Sequence, residues 1–240
     1  MDYIAKEIPF DGLIEGLKQL QQAGFKGINV TVPFKEQVWQ AIENKSDHAS
    51  RAGAVNTVVF NDDGTLYGDN TDGIGLCRDL VDNHQIELNG KRLLLLGAGG
   101  AARGVIEPLL SYQPTELIIA NRTVSKAEDL ADLFADFGNL SGCGFEELTG
   151  SFDVIINATS ASLQGEVPPL ADDILNDNAS CYDMMYSNED TAFIVWAKQH
   201  GATMTVDGLG MLAEQAAEAF RIWREVKPDT KSIIQEIRGL

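Results

Sequence analysis

Four consecutive leucines, Leu93–Leu96, run directly into Gly97, and this stretch constrains the fold more than any other. A strand that is apolar on both faces suits the interior of a parallel sheet covered by helices on both sides. The residues from Gly97 to Ala102 fill the pattern G-x-G-x-x-[GA]. In a strand–turn–helix unit the first glycine permits a tight turn, the second admits a pyrophosphate, and the small last residue lets helix and strand pack closely. The stretch therefore predicts a dinucleotide site at the start of a helix.

A second apolar strand is predicted at Glu116–Ala120, one helix after the glycine turn, at the spacing of a βαβ unit. The residues after this strand select the cofactor. NAD sites usually carry Asp or Glu there, whereas this chain has Asn121, Arg122 and Thr123. A carboxylate would repel a 2′-phosphate, while Arg122, with Lys126 one helical turn on, can pair with one. The sequence therefore predicts NADP rather than NAD. An ordinary strand-to-helix turn followed by a solvated arginine is the alternative interpretation.

The 240 residues are 44% hydrophobic and carry a formal net charge of -18. A chain of this length can bury a sizeable core in one large domain or two small ones. The acidic balance argues against nucleic-acid binding, because no basic stripe offsets it. No apolar run approaches the length of a membrane span, and the first residues lack the basic and apolar regions of a signal peptide. We therefore expect a cytoplasmic protein with neither a nucleic-acid nor a membrane partner.

Cysteine and histidine residues are few and far apart in the sequence. Their spacing fits neither a disulfide framework nor a metal site. The residues are Cys77, Cys143, Cys181, His48, His84 and His200. We therefore expect no bound metal.

Hydrophobic periodicity and turn residues predict the remaining elements. In the first ninety residues the predicted strands are 3–8, 27–32, 54–60 and 65–67, and the predicted helices are 12–23, 34–44 and 73–83. Further along, the predicted strands are 153–157, 179–184 and 202–206, the predicted helices begin near 101, 126, 189 and 207, and 161–178 is predicted to be a loop.

Strands alternate with helices after Lys91 at intervals that suit right-handed crossovers. The sequence therefore predicts an α/β fold of two lobes: a Rossmann-like, doubly wound parallel sheet and a smaller α/β lobe that precedes it. A cleft between the lobes is the expected position of a site.

Several polar residues interrupt otherwise apolar segments of the smaller lobe. Asn29 and Thr31 share one face of a strand, since side chains alternate along it. Lys35 stands in the first turn of a helix, where the positive end of the helix dipole disfavours a cation. Asn56 lies inside an apolar strand, and Asp72 closes a tight turn. A solvated lysine, a strand-end amide and a helix N-cap are the ordinary interpretations; together, these residues could line one polar pocket.

Seven motifs occur in the order found in one family. They are Asn-Val-Thr-Val-Pro-Phe-Lys ending at Lys35, Ala-Gly-Ala-Val-Asn-Thr around Asn56, Gly-Asp-Asn-Thr-Asp-Gly around Asp72, Gly-Ala-Gly-Gly-Ala ending at Ala101, Asn-Arg-Thr ending at Thr123, Asn-Ala-Thr-Ser around Thr159, and Asp-Gly-Leu-Gly-Met ending at Met211. With these motifs the chain resembles the shikimate dehydrogenases over nearly its whole length. The resemblance implies NADP-dependent interconversion of 3-dehydroshikimate and shikimate, a small-molecule reaction of aromatic amino-acid biosynthesis.

The resemblance also assigns roles to individual residues. It implies that Lys35 and Asp72 are the catalytic pair, in which the lysine ammonium stabilises an alkoxide and supplies a proton. The implied substrate-binding residues are Thr31, Asn56, Asp72, Tyr186 and Gln215. The implied cofactor-binding residues are Asp47, Gly97, Ala98, Gly99, Gly100, Ala101, Asn121, Arg122, Thr123, Val124, Ser125, Lys126, Met184 and Gly208. The substrate lobe would comprise 1–71 and 208–240, and the cofactor lobe 72–207. A homodimer is considered alongside a monomer.

One departure from the family is expected to matter. The family begins with a strand and a turn of the type Asn-Pro-x-x-His-Ser-x-Ser-Pro, whose serines hold the substrate carboxylate, and no Ser-x-Ser occurs before Lys35. We therefore expect an N-terminally shortened substrate lobe. A non-catalytic NADP-binding fragment or paralogue is one alternative. A Rossmann oxidoreductase such as glutamyl-tRNA reductase is another, disfavoured because it needs a cysteine in its first domain and the first cysteine here is Cys77.

Overall fold

The computed structural model describes residues 2–9, 11–31 and 33–239. These residues form a sheet of four strands and a sheet of six, with helices packed around both. The prediction of an α/β fold with one large parallel sheet and a smaller second unit is confirmed. Among the helices that the structure describes, none combines the length and the apolar character that a membrane span requires.

The smaller sheet has the strand order β1-β3-β4-β2. Its strands are β1 (Gly27–Asn29), β2 (Asn44–Lys45), β3 (Thr57–Phe60) and β4 (Leu66–Asp69). Strand β3 pairs antiparallel with β1 and β4, and β2 pairs parallel with β4. The helices beside it are α1 (Leu13–Gln22), α2 (Lys35–Ala41) and α3 (Asp47–Ala52).

Helix α1 forms because its leucines repeat at helical spacing. Leu13, Leu17 and Leu20 therefore lie on one face, and they are buried in one cluster with Val38 of α2 and Val58 of β3. Burial of this face, rather than intrinsic propensity, stabilises so short a helix.

A fourth helix, α4 (Asp72–Arg78), leads from the smaller sheet to the larger one and continues into a π-helical turn at Asp79–Asn83. The strands of the larger sheet are β5 (Arg92–Leu96), β6 (Glu116–Ala120), β7 (Leu140–Cys143), β8 (Phe152–Asn157), β9 (Leu175–Asp183) and β10 (Met204–Asp207). The helices between them are α5 (Gly100–Arg103), α6 (Ile106–Ser111), α7 (Val124–Leu133) and α8 (Ala192–Gln199).

All neighbouring strands of the larger sheet are parallel, in the order β10-β9-β8-β5-β6-β7. After β5, the strands β6 and β7 are added on one side of it, and after β8, the strands β9 and β10 are added on the other side of the sheet. The order therefore reverses between these two strands. In open α/β sheets, ligands bind beyond the carboxyl ends of the strands at such a switch point. Gly97, directly after β5, lies at that point.

Two helices close the chain, α9 (Leu209–Arg224) and α10 (Thr230–Arg238). Helix α9 begins after β10 and ends against the smaller sheet, where Trp223 Nε1 donates a hydrogen bond to Val58 O at 2.9 Å. A Cβ at Gly27 would lie 2.2 Å from that indole nitrogen, so only glycine admits the contact. Helix α9 thereby joins the two sheets.

Three short elements were not predicted: β2, α3 and β7. Each is too short to show a hydrophobic period, and tertiary contacts rather than local sequence form them.

The helix predicted from about residue 101 is interrupted at Gly104 and Val105, between α5 and α6. Pro108 contributes to this break, because it has no N–H for the carbonyl of Gly104.

The strand predicted at 3–8 is wrong. Residues 2–9 have no regular secondary structure and are mostly exposed. Within the described ranges, no strand makes backbone hydrogen bonds to this segment. The segment therefore lacks the neighbouring strand that a β-ladder requires. The predicted strand 27–32 ends earlier, at Asn29, and Val32 lies outside the described residues. The predicted loop 161–178 is wrong at both ends, where Ala161–Gln164 form a 3-10 helix and β9 begins at Leu175.

Thiol chemistry provides a test of the core. Burial raises the pKa of the Cys77 and Cys181 thiols to about 12, whereas Cys143 is only partly buried. Because the thiolate is the reactive form, an aromatic disulfide reagent at mildly alkaline pH should modify Cys143 first. Cys77 and Cys181 should react only after urea unfolds the protein. Cys143→Ser should abolish the fast phase, and equal reaction rates of the three native thiols would contradict this core.

Candidate active site

A cavity of about 680 Å³ lies where the two sheets and α9 meet. Its walls come from residues 3–6, the end of β1 and the residues after it, Asn56 before β3, the start of α2 and of α4, the segment after β9, and α9. The residues predicted for the site that line it are Thr31, Lys35, Asn56, Asp72, Met184, Tyr186, Gly208 and Gln215. The polar residues expected to line one pocket therefore do so, together with four residues that only the resemblance connected to them.

The ion pair between Lys35 and Asp72 is the most polar feature of this cavity. Lys35 Nζ lies 2.7 Å from Asp72 Oδ2, and both side chains are largely shielded from solvent. Lys35 is the first residue of α2, and its carbonyl accepts a hydrogen bond from Val55 N at 2.9 Å. Its position at a helix N-terminus is electrostatically unfavourable by itself. The carboxylate of Asp72 offsets this, so the interpretation of Lys35 as a solvated lysine does not hold.

Asp72 is fixed from three sides. It is the first residue of α4, where the helix dipole favours an anion. Its amide N donates to Asn70 Oδ1 at 3.1 Å, and its Oδ1 accepts from Asn56 Nδ2 at 2.8 Å. One carboxylate oxygen is thus bound by Asn56 and the other by Lys35.

Asn56 is 2% exposed and fully engaged in hydrogen bonds. Its Nδ2 also donates to Thr71 Oγ1 at 3.0 Å. Its Oδ1 accepts from Thr71 N at 2.9 Å and from Thr57 Oγ1 at 2.9 Å. The main-chain N–H of Thr71 can only donate, so it fixes which end of the Asn56 amide faces Asp72.

Gln215 approaches this network from α9, with its Oε1 3.5 Å from Asn56 Nδ2 and 3.4 Å from Thr71 Oγ1. Gly75 permits the approach, because a Cβ there would lie 2.8 Å from Gln215 Cβ.

Tyr186 is half exposed at the rim of the cavity. A Cβ at Gly208 would lie 2.3 Å from Met184 O, so glycine is required there as well.

The glycine turn has the geometry that its sequence predicts. Gly97 has a φ of 104°, a value that side chains strongly disfavour. Gly99 lies at the start of α5, and no described heavy atom lies within 4 Å of where its Cβ would stand. Ala102 is buried in the core of the larger sheet. The turn therefore leaves open space beside the first amides of α5, which lack intrahelical acceptors. These features fit a pyrophosphate.

Arg122 and Lys126 are exposed at the start of α7, next to the carboxyl end of β6. Neither forms an ion pair with a described carboxylate, whereas Arg92 and Arg51 each bind an acidic partner. Asn121 Nδ2 donates to Thr123 O at 2.9 Å and shapes the turn that presents Arg122. In so acidic a chain, two cations without a described acidic partner at the end of β6 fit an anionic ligand group.

Asp47 does not share these surroundings. It begins α3 and lines a separate depression with Arg51, Glu107 and Phe137. Its cofactor role thus stays a prediction. The structure describes no group of three or more His, Cys, Asp or Glu side chains that could hold a metal ion.

Sequence reasoning missed the buried polar residues that support the site, namely Asn70, Thr71 and Thr57. The first two directly precede Asp72 in a single turn, a signal that could have found them. It also missed Trp223, which lines the cavity two helical turns after Gln215.

A doubly wound sheet with a glycine turn at its switch point, facing a lysine–aspartate pair across a cleft, defines a nicotinamide-dependent oxidoreductase. Three family models match the chain. "Shikimate dehydrogenase substrate binding domain" matches residues 1–58, "Shikimate / quinate 5-dehydrogenase" matches 79–164, and "Shikimate 5'-dehydrogenase C-terminal domain" matches 208–238. The chain belongs to the shikimate dehydrogenase family.

Individual relatives agree with this membership. The NADP(+)-dependent shikimate dehydrogenase of Alkalilimnicola ehrlichii is 53% identical over 236 residues, which cover 98% of this chain and 87% of the relative. The crystal structure of an Ael1 enzyme from Pseudomonas putida is 42% identical with a TM-score of 0.92, covering 97% of this chain and 85% of that one. Shikimate 5-dehydrogenase from Thermus thermophilus, solved in complex with NADP(H) and shikimate, is 32% identical with a TM-score of 0.84, covering 96% and 85%.

The two glycines of the turn give a matched test. Gly97→Ala places a Cβ 3.0 Å from Thr159 Cγ2 at a strained φ, and should lower the free energy of unfolding by about 1–3 kcal/mol. Gly99→Ala meets open space and should leave stability within about 0.5 kcal/mol, while weakening NADPH binding because its methyl group enters the space left for phosphate. Urea unfolding and NADPH fluorescence titration measure the two effects. A Gly99→Ala variant with native affinity would contradict the pyrophosphate position.

Proposed function

We propose that this protein catalyses the reversible NADPH-dependent reduction of 3-dehydroshikimate to shikimate, a step of aromatic amino-acid biosynthesis. The observation that carries the proposal is the ion pair of 2.7 Å between Lys35 and Asp72, in a cavity that Asn56 and Gln215 also line. The relatives named shikimate dehydrogenase support the substrate and the cofactor.

Reduction of a ketone requires a hydride at the carbonyl carbon and a proton at the oxygen. We propose that Lys35 Nζ lies against the carbonyl oxygen, stabilises the negative charge that develops there, and donates the proton. Asp72 orients the ammonium through the contact with its Oδ2. In the reverse direction the lysine amine accepts the hydroxyl proton. The buried surroundings of the pair strengthen these interactions, because little water competes with them.

A substrate with three hydroxyl groups needs several hydrogen-bonding partners. We propose that Thr31, Asn56, Tyr186 and Gln215 bind them, together with Asp72; Asn56 would exchange its long contact with Gln215 for a substrate hydroxyl. Amides and hydroxyls both donate and accept, which suits alcohol groups. An analogue that lacks one hydroxyl would leave a polar group of the site unpaired, and this disfavours its binding.

Bound NADPH supplies the hydride. We propose that its pyrophosphate lies on the turn formed by Gly97, Ala98, Gly99, Gly100 and Ala101. The segment Asn121, Arg122, Thr123, Val124, Ser125 and Lys126 would bind the ribose 2′-phosphate, with the charge supplied by Arg122 and Lys126. Met184 and Gly208 line the cavity and would contact the nicotinamide. We also propose that Asp47, which lies apart from these groups at the start of α3, contacts the cofactor.

We also propose that residues 1–71 and 208–240 form the substrate lobe and 72–207 the cofactor lobe. The contact of Trp223 with Val58 supports this division, because it ties the C-terminal helix to the smaller sheet. A cytoplasmic location is proposed because the three cysteines are free thiols. Light scattering distinguishes a monomer of 26.0 kDa from a homodimer.

Replacing the proposed proton donor tests the reaction. Lys35→Met should lower kcat by about 10²- to 10⁴-fold, the usual contribution of a positioned acid–base group, with an unchanged Michaelis constant for NADP. Initial rates of NADPH formation from shikimate measure this. Lys26→Met is the matched control, because Lys26 forms an exposed ion pair with Asp62 and should not affect turnover.

A Lys35→Met variant with full kcat would remove Lys35 from the mechanism. A native chain that binds NADPH and does not oxidise shikimate would instead support the alternative of a non-catalytic NADP-binding protein.

Cofactor preference tests the role of Arg122. Arg122→Gln should raise the Michaelis constant for NADP by about 10- to 100-fold, since hydrogen bonds to charged groups contribute roughly 1.5–3 kcal/mol, and should hardly change that for NAD. Arg92→Gln, which breaks a pair with Glu116 at the opposite end of β5 from the glycine turn, is the control. Equal effects of Arg122→Gln on both cofactors would overturn the assignment of the 2′-phosphate site.

A further inference from the structure

The segment Met184–Tyr186 carries one residue proposed for the cofactor and one proposed for the substrate, and it has no regular secondary structure. Such a segment needs external support to place two groups accurately. Asp183, the last residue of β9, is fully buried and directly precedes it. We propose that Asp183 is a positioning residue whose carboxylate holds Met184 and Tyr186 in place for the reaction. This inference rests on the proposed function.

The carboxylate of Asp183 has four described donors, one of which is the Ser162 hydroxyl. Its Oδ1 accepts from Met185 N at 3.1 Å, within the segment itself, and from Asn157 Nδ2 at 3.1 Å. Its Oδ2 accepts from Thr191 Oγ1 at 2.6 Å. Asp183 does not line the main cavity, so it acts through the residues that it holds.

The bond to Met185 N completes a set of contacts along the segment. Met184 N donates to Asn157 O at 2.9 Å, and Met185 O accepts from Gly208 N at 3.0 Å. The first contact ties the segment to β8 and the second to the start of α9. The hydrogen bond from Met185 N to Asp183 Oδ1 fixes the turn between these two contacts, because an aspartate that accepts from the main-chain N–H two residues further on stabilises a turn.

Asn157 extends this arrangement toward the glycine turn. Its Oδ1 accepts from Thr159 N at 3.1 Å and Thr159 Oγ1 at 2.7 Å. Thr159 Cγ2 is the atom that a Cβ on Gly97 would approach. One chain of contacts therefore runs from the cofactor turn through Asn157 to Asp183 and on to the segment with Met184 and Tyr186.

The carboxylate is held in an environment that does not favour its charge. Burial raises the pKa of the Asp183 carboxyl, and the hydrogen bonds from Thr191, Met185, Ser162 and Asn157 work in the opposite direction. A buried acid with so many donors and no described cationic partner is a costly way to stabilise a fold. This cost is consistent with a role in placing the segment.

The test compares Asp183→Ala, Asp183→Asn and the control Asp153→Ala in the full chain. Asp153 is a carboxylate at the opposite end of β8, where it accepts from Arg92 N at 2.8 Å and Asn176 Nδ2 at 3.1 Å. Removing it also costs two hydrogen bonds, but far from the proposed nicotinamide position. Steady-state rates with shikimate and NADP, NADPH binding by fluorescence, and urea midpoints are measured for each variant.

Asp183→Ala should raise the Michaelis constants for shikimate and NADP and the NADPH dissociation constant by about 10-fold, since small misplacements of bound groups are costly. Asp183→Asn retains an oxygen that can accept the hydrogen bond from Met185 N. In this variant the three constants should therefore stay within about 3-fold of those of the native protein. Asp153→Ala should lower the urea midpoint and leave all three constants unchanged. If Asp183→Ala does not fold, Thr191→Val, which removes one hydrogen bond from the carboxylate, should raise the same constants by about 3-fold.

The positioning role would be overturned if folded Asp183→Ala had the same Michaelis constants and NADPH dissociation constant as the native protein. If the alanine variant does not fold, the same result in Thr191→Val would overturn it. Equal changes in Asp153→Ala would also overturn it, because they would reflect general destabilisation. A native chain without turnover would count against the proposed function alone. The NADPH dissociation constants would still decide the role of Asp183.

Discussion

The parallel pairing of β5 on both of its edges is the constraint on which the rest of the structure depends. Leu93–Leu96 are 0% exposed, and β5 is bonded to β6 on one side and to β8 on the other. A strand so enclosed cannot shift its register without exposing apolar surface or breaking two ladders. The strand therefore fixes the position of Gly97 at its end. It thereby also fixes the position of the glycine turn relative to Asn157 and Thr159.

The opposing wall of the cleft is organised by polar contacts instead. Asn56 has all its donors and acceptors satisfied, and Asp72 divides its two oxygens between Asn56 and Lys35. Hydrogen bonds inside such a network are directional, so they specify angles that apolar packing alone does not. The cleft thus combines a wall positioned by hydrophobic burial with a wall positioned by hydrogen bonds.

Elements with a strong apolar signal could be predicted from the sequence, whereas the short elements β2, α3 and β7 could not. The continuous apolar run of β5 and the helical spacing of the leucines in α1 are such signals, and both elements are present. Residues 3–8 alternate as a strand does, yet a strand needs a neighbour, and alternation carries no information about one. The site residues Lys35, Asn56 and Asp72 could be named because a polar group in an apolar context is informative. Their roles in a reaction required the resemblance, and their supporting threonines required the fold.

Helix α9 sets how this cleft can move. It has 16 residues, a rod of about 24 Å at 1.5 Å per residue, with Gly208 beside Met184 at one end and Trp223 on the smaller sheet at the other. The separation between Gly208 and Gln215 is internal to this rod. Because both residues are held by one helix, their spacing stays constant in any movement of the two sheets relative to each other.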